Sequence, residues 1–231
     1  MTTVDKALDE LRAGRPIVIV DSPERENEGD IVMAAQHATT EWLALAIRHS
    51  SGFLCAPMTN ERANELDLPL MVEHNQDSRR TAYTVSVDAA EGVSTGVSAA
   101  DRAMTLRVLG NAGSGPADLI RPGHIIPLRA VPGGVRERAG HTEATVDLLT
   151  LAGLNPVGMI GELMNDDGTM MGGADLTEFA ATNGLVIVSI EEIATHLEGN
   201  WIPLPDGNAD RYSFEIETRV PTSHGIFRLR A

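Results

Sequence analysis

Apolar positions along residues 1–198 alternate between the period of a helix and the run of a buried strand. Val4, Ala7, Leu8 and Leu11 recur at helical spacing, and Gly14 and Pro16 stop the pattern. Ile17-Val18-Ile19-Val20 is a β-branched run, the signature of a core strand, closed by Asp21-Ser22-Pro23. Residues 40–48 put Trp42, Leu43 and Ile47 on or near one face and predict a helix; residues 52–58 predict a strand. Thr59 caps a short helix ending near Leu68-Pro69. Residues 70–80 are polar, irregular and long for a passive connection, which suggests a binding loop or lid.

The alternation at 83–87 predicts a strand. Ser98 to Asp101 is a capping-box pattern and starts a helix over 99–109. Arg121-Pro122-Gly123-His124 reads as a turn entering a strand at 125–129. A loop from Gly133-Gly134 leads to a helix that begins near His141 and ends at Ala152-Gly153. A strand at 157–160 precedes Glu162. Asp175 to Glu178 reads as a second capping box, before a helix near 176–182. Residues 185–190 predict a buried strand, and Ser189 to Glu192 caps a last helix ending near Glu198-Gly199. The expected fold is α/β: a mixed sheet of five to seven strands flanked by helices in a three-layer sandwich. Residues 1–198 form a single domain in this reading. Residues 199–231 are a linker and tail, with one strand near 212–220 and few partners to hold it.

Composition narrows the picture. Hydrophobic residues make up 42% and aromatics only 3%, so the core is aliphatic. The net charge of −15 shows no basic face and argues against nucleic acid. It also makes any anion site a local basic island, with Arg25, Arg138 and Arg121 as candidates. Cys55 is the one cysteine, which excludes an internal disulfide and a cysteine-based zinc site and fits a reducing cytoplasm. With Phe53 and Leu54 beside it, Cys55 reads as a core residue. The first residues carry no basic leader or long apolar stretch, so neither a signal peptide nor a membrane span is expected.

The densest chemistry is Arg25-Glu26-Asn27-Glu28-Gly29-Asp30, on a loop at the end of the first core strand. In α/β proteins that is where ligands bind. Glu26, Glu28 and Asp30 offer hard oxygen ligands for Mg²⁺ or Mn²⁺ and bases for proton transfer. Arg25 offers a fork for a phosphate or carboxylate. The glycine- and hydroxyl-rich turn at 94–98 opens a helix and can hold an anion on backbone N–H groups, or is simply a loop and cap. His141 stands near a helix N-terminus, which disfavours a charged imidazole; a neutral one is a good metal ligand. His124 and Glu162 are further polar candidates, His124 at a turn and Glu162 just after an apolar strand.

Five blocks together resemble the signatures of the 3,4-dihydroxy-2-butanone 4-phosphate synthase family. They are Arg25 to Asp30, Ser94 to Arg102, Arg121 to His124, Gly140 to Thr145 and Asn165 to Gly168, in that family's order. The resemblance implies conversion of D-ribulose 5-phosphate to formate and L-3,4-dihydroxy-2-butanone 4-phosphate, a riboflavin precursor. It implies Mg²⁺ or Mn²⁺, two ions per site, with no organic cofactor. Glu26 and His141 match the family's metal ligands. Arg25, Glu26, Asp30, Arg138, Ala139, Gly140, His141, Thr142 and Glu162 match its substrate-binding positions, and Thr95 is a further candidate for the phosphate. His124 and Glu162 match positions essential for catalysis, with Glu28 and Asp30 as added proton carriers. A cytoplasmic homodimer with its active site near the subunit interface is expected.

Residues 217–227 resemble the opening of a GTP cyclohydrolase II domain. That activity is not expected here, because the family's zinc site needs cysteines and Cys55 lies elsewhere. Two rivals would share the ligands: a metal-dependent sugar-phosphate aldolase or isomerase, and a non-catalytic sugar-phosphate-binding domain.

Overall fold

The computed structural model describes residues 2–199, 217–222 and 225–230. The chain divides into two compact units, 1–196 and 197–231. Among the described residues the first unit holds a seven-stranded sheet in the order β4-β5-β3-β6-β2-β1-β7. Its strands are β1 (Ile17–Val20), β2 (Gly29–Ala34), β3 (Cys55–Met58), β4 (Val87–Ala89), β5 (Leu119–Arg129), β6 (Gly158–Glu162) and β7 (Ile187–Ser189). The sheet is mixed: β3 runs parallel to β5 and β1 to β7, while β1–β2, β2–β6 and β4–β5 are antiparallel.

The helices are α1 (Thr3–Arg12), α2 (Thr40–His49), α3 (Asn60–Glu65), α4 (Ala99–Gly110), α5 (His141–Leu151), α6 (Gly173–Asn183) and α7 (Ile190–Gly199). Alternate strand residues face opposite layers. Val18, Ile31, Met33, Met58 and Met159 join Leu43, Leu106, Leu109, Leu176 and Phe179 in one aliphatic core, which places α2, α4 and α6 on that face. Helix α5 packs on β1, β2, β3 and β6, and α1 packs on α5, β1 and β7. With burial near 25 cal/mol per Å² of apolar surface, these two aliphatic seams supply most of what holds the layers together.

Several local expectations shift. The strand expected at 83–87 is reduced to β4. Tyr83 and Thr84 make only isolated bridges, because the Thr84 N–H turns to Pro127 O and the Val85 N–H to Pro69 O. Arg121 to His124 is not a turn before a strand but lies inside β5. The register jumps from Ile120 opposite Asp88 to Ile125 opposite Val87, so these four residues bulge out of the ladder. Pro122 has no N–H to lose there, and Gly123 is forced, since a Cβ would stand 2.0 Å from the Val87 carbonyl carbon. Arg121 is no anion island: its guanidinium donates to the Pro116, Leu119 and Leu66 carbonyls.

The capping box expected at Ser98 is half formed. Ser98 Oγ accepts from the Asp101 N–H, but the Asp101 carboxylate turns to Ser94 and Gly96. Helix α6 starts earlier than expected, at an uncapped Gly172, and Asp175 sits in its first turn. The box at Ser189 and Glu192 is complete. In the second unit β8 (Glu217–Thr222) pairs antiparallel with β9 (Gly225–Arg230), two strands where the sequence suggested one. The linker expected before that strand and the strand's first residues, all within 200–216, lie outside the described residues.

Candidate active site

The antiparallel pair β1–β2 delivers the acidic loop to one end of the sheet. Val20 faces Gly29 in the ladder, so residues 21–28 form the connection. Asp21 organises it. Its Oδ2 accepts from the Glu26 N–H and the Arg25 guanidinium, each at 3.0 Å, and its Oδ1 accepts from the Glu28 N–H at 2.9 Å. Asn27 is left at a φ of +57°, a conformation asparagine tolerates better than most residues. The loop therefore presents Arg25 and Glu26 as a fixed, paired couple.

The sheet register brings the rest to the same place. Asp30 on β2 lies opposite Glu162 on β6, and Cys55 on β3 lies opposite Ile160. Helix α5 contributes its first turn. His141 and Thr142 are buried, and no side chain caps the N-terminus at Gly140. One cleft is lined by Arg25, Glu26, Asp30, Cys55, Arg138, His141, Thr142 and Glu162, together with Asp77, Arg79, Thr81, Phe53 and Tyr83. The two rings stack edge to face at 6.1 Å. Arg138 is aimed by Glu143, itself 1% exposed: one Glu143 oxygen takes the guanidinium at 2.6 Å and the other the Val131 N–H. Thr81 Oγ1 and the Arg79 carbonyl accept from the same guanidinium.

Two buried polar atoms in this cleft lack a hydrogen-bond partner, Asp30 Oδ1 and His141 Nε2, and they stand 4.0 Å apart. Such groups are costly unless something satisfies them. Asp21, Glu26 and His141 each offer a ligand atom within 4.8 Å of the others. Hard carboxylate oxygens and an imidazole around an unsatisfied pair fit a divalent cation. The crowding also moves protons. Burial pushes the Asp30 carboxyl up, helped by Glu26 and Asp21 and opposed by His141. The surrounding protein, then Asp30 and Glu26, raise Glu162 at the cleft rim. Partial burial, with Glu162, Glu26, Asp30 and Asp21 nearby, raises Glu28 to about 7. Glu28 couples to the cleft in this way without lining it.

Of the residues singled out in the sequence, Arg25, Glu26, Asp30, Arg138, His141, Thr142 and Glu162 meet in one cleft. Gly140 caps α5 beside it, where a Cβ would stand 2.4 Å from an Arg138 nitrogen. Ala139 sits exposed in the preceding loop. His124 and Thr95 are not in the cleft lining. His124 Nδ1 lies 2.7 Å from Asp88 Oδ2, and its N–H donates to the other Asp88 oxygen. Gly96, next to Thr95, packs so closely that a Cβ would meet both Asp88 and His124. The 94–98 turn spends the Ser94 hydroxyl and the Ser94 and Gly96 N–H groups on Asp101, whose carboxyl they lower, so those donors serve an internal anion. Asp21, Arg79, Glu143 and Cys55 were not named individually for the site. For three of them the signal was present: Asp21 directly precedes the charged run, Arg79 lies in the 70–80 stretch expected to be a binding loop, and Glu143 lies in the block from Gly140 to Thr145. Cys55 joins the site only through the sheet.

Comparison with known proteins gives a consistent result. The family profile described as 3,4-dihydroxy-2-butanone 4-phosphate synthase matches residues 5–196. The riboflavin biosynthesis protein RibBA of Salinispora arenicola is 51% identical over 98% of this chain, which spans only 52% of that longer protein. The 3,4-dihydroxy-2-butanone 4-phosphate synthase of Klebsiella pneumoniae subsp. pneumoniae is 52% identical over 84% of this chain and 89% of its own length. A crystal structure of a 3,4-dihydroxy-2-butanone 4-phosphate synthase in complex with two magnesium ions superposes with a TM-score of 0.84 at 44% identity, covering 87% of this chain and 98% of that one.

Proposed function

Because the chain belongs to the 3,4-dihydroxy-2-butanone 4-phosphate synthase family, we propose that it converts D-ribulose 5-phosphate to formate and L-3,4-dihydroxy-2-butanone 4-phosphate for riboflavin biosynthesis. The observation that carries this reading is the unsatisfied Asp30–His141 pair beside Glu26, in one cleft with two forked cations, Arg25 and Arg138. An acyclic ketose phosphate needs both features: a site for its oxygens and a site for its phosphate.

Glu26 and His141 would hold Mg²⁺ or Mn²⁺, and the relative solved with two magnesium ions favours two ions per site. When bound, the metal supplies a Lewis acid that acidifies the C–H beside the ketone. The chain's own groups do the rest. Arg138, pre-aimed by Glu143, and the uncapped first turn of α5 at Thr142 bind the phosphate. Arg25 orients the substrate from the acidic loop. Glu28, behind the cleft lining and raised to about 7 by partial burial and the neighbouring carboxylates, is an added proton carrier. Asp30 and Glu162, whose carboxyls are raised, serve the remaining proton transfers of enediol formation and carbon release. Phe53, Tyr83 and Cys55 narrow the cleft and exclude water.

His124 and Thr95 lie with Asp88 on the β4–β5 side. We place them at the cleft of a second copy, in a homodimer with active sites at the interface. Exposed Phe53, Leu70, Met71, Val72, Val97 and Ile120 are the apolar surface such a contact would cover. Residues 1–198 are the synthase domain in this reading, and 199–231 a linker and an incomplete cyclohydrolase-like tail. No helix among the described residues is long and apolar enough to cross a membrane.

The test is formate release from D-ribulose 5-phosphate with Mg²⁺ and with excess chelator. Metal-dependent formate is expected, and Glu26→Ala and His141→Ala are each expected to lower it roughly a hundredfold or more. Aldehyde or epimer products without formate would replace this reading with an aldolase or isomerase. Binding without turnover would leave a sugar-phosphate-binding domain.

A further inference from the structure

Arg79 stands in the cleft without a role in the reading above. Its Nε lies 3.1 Å from Glu26 Oε1, while Arg25 holds Glu26 Oε2. Both oxygens of the carboxylate assigned to the metal are thus held by guanidinium groups. The two arginines are not equivalent. Arg25 has a second carboxylate, Asp21 at 3.0 Å, and keeps it if Glu26 turns away. Arg79 has the Arg25 carbonyl as its other acceptor, and its side chain is 41% exposed on the 70–81 loop.

That loop is braced within itself. Asn75 accepts from the Asp77 N–H and donates to Thr81 O, and Asp77 accepts from the Thr81 N–H. Arg80 is held at a φ of +56°. A turn stitched this way moves as a unit, so its attachments decide where it sits. Two side chains attach it to the rest of the cleft: Arg79 on the acidic loop, and Arg138 on Arg79 O and Thr81 Oγ1.

We propose that Arg79 is an internal counter-cation: it competes with the divalent ion for Glu26 and latches the 75–81 turn across the cleft, so that metal binding releases the turn. The proposal rests on Glu26 being a metal ligand. A carboxylate oxygen that ligates a metal is lost to a guanidinium at the same lone pairs, and the partly exposed Arg79 gives way at least cost. Metal affinity and loop position are then one equilibrium, and Arg79 sets its midpoint.

Free Mn²⁺ measured by electron paramagnetic resonance, titrated with the full chain, tests this. Arg79→Gln is expected to bind Mn²⁺ about two- to fivefold more tightly than the wild type, the worth of a partly exposed ion pair. Arg80→Gln removes the same charge one residue away, and is the control for a general charge effect. Amide hydrogen exchange at 75–81 is expected to rise on adding Mn²⁺ to the wild type, and to be already high and unresponsive in Arg79→Gln. Equal affinities in Arg79→Gln and Arg80→Gln, or wild-type exchange that ignores Mn²⁺, overturn the latch. Glu26→Gln separates the two levels: undiminished Mn²⁺ binding there would remove Glu26 as a ligand, whereas its loss with no Arg79→Gln effect would remove only the latch.

Discussion

Glu28 stands among four other carboxylates, Glu162, Glu26, Asp30 and Asp21, and its own carboxyl is raised from 4.5 to about 7. The folded chain therefore binds that proton more tightly than the unfolded one. The stabilisation is complete below about pH 4 and is lost as pH rises through 7. Glu28→Gln removes the penalty of the charged form. With metal chelated, the variant should be more stable than wild type at pH 8 by about 1 kcal/mol after allowing for solvent screening, or roughly 2–4 °C in Tm. At pH 5 the advantage should shrink to a few tenths of that. A Tm difference of equal size at both pH values would show that Glu28 titrates normally. Cys55 makes a different point at the same scale. It lines the cleft yet is 5% exposed, and burial, with Asp30 and Glu162 nearby, raises its thiol. Iodoacetamide at pH 7.5 should alkylate it at least about tenfold more slowly than a free thiol, because the thiolate is the nucleophile. Rapid labelling of the folded chain would contradict this burial.

At the scale of elements, ends matter more than middles. Helix α4 is the clearest case. Its end and the turn after it are held by a side chain from another helix: Arg62 of α3 donates to the carbonyls of Leu109 in the last turn, Asn111 at the cap and Ser114 beyond it. Arg62→Ala strands these acceptors and should cost about 3 kcal/mol, read as a lower urea midpoint with an unchanged slope. A loss under 1 kcal/mol would mean that water replaces the guanidinium. Strand β5 shows why the prediction of elements stumbled at Arg121 to His124. Pro122 and Gly123 carry turn chemistry, yet the bulge needs both, one because it lacks a donor and the other because Val87 leaves no room for a Cβ. Local signals gave the right residues and the wrong element.

At the scale of the whole molecule, the separation of His124 from the cleft is the feature with most consequence. If each site takes His124 from the other copy, two inactive variants can repair one another. Unfolding and refolding Glu162→Gln with His124→Ala in equal amounts makes half the dimers mixed. Each mixed dimer holds one intact site, so about a quarter of the wild-type formate release should return. No recovery, with mixed dimers shown to form, would place His124 in its own chain's site or outside the reaction.

The sequence by itself determined the helices and some of their caps, such as the box at Ser189 and Glu192, the aliphatic core, the α/β order and the charged loop before β2, since each depends on residues a few positions apart. It also carried the family blocks, which hold five of the seven expected cleft residues, Arg138 and Glu162 lying just outside them. It could not decide which strand lies beside which. The order that puts β6 between β3 and β2 sets Glu162 opposite Asp30 and brings Cys55 into the cleft. It could not show that Arg79 reaches Glu26, a contact between residues 53 positions apart. These juxtapositions have no local pattern, because nothing in the chain near either partner requires the other. Only the packed sheet brings them within reach, and there burial and charge, rather than spacing, fix what each group does.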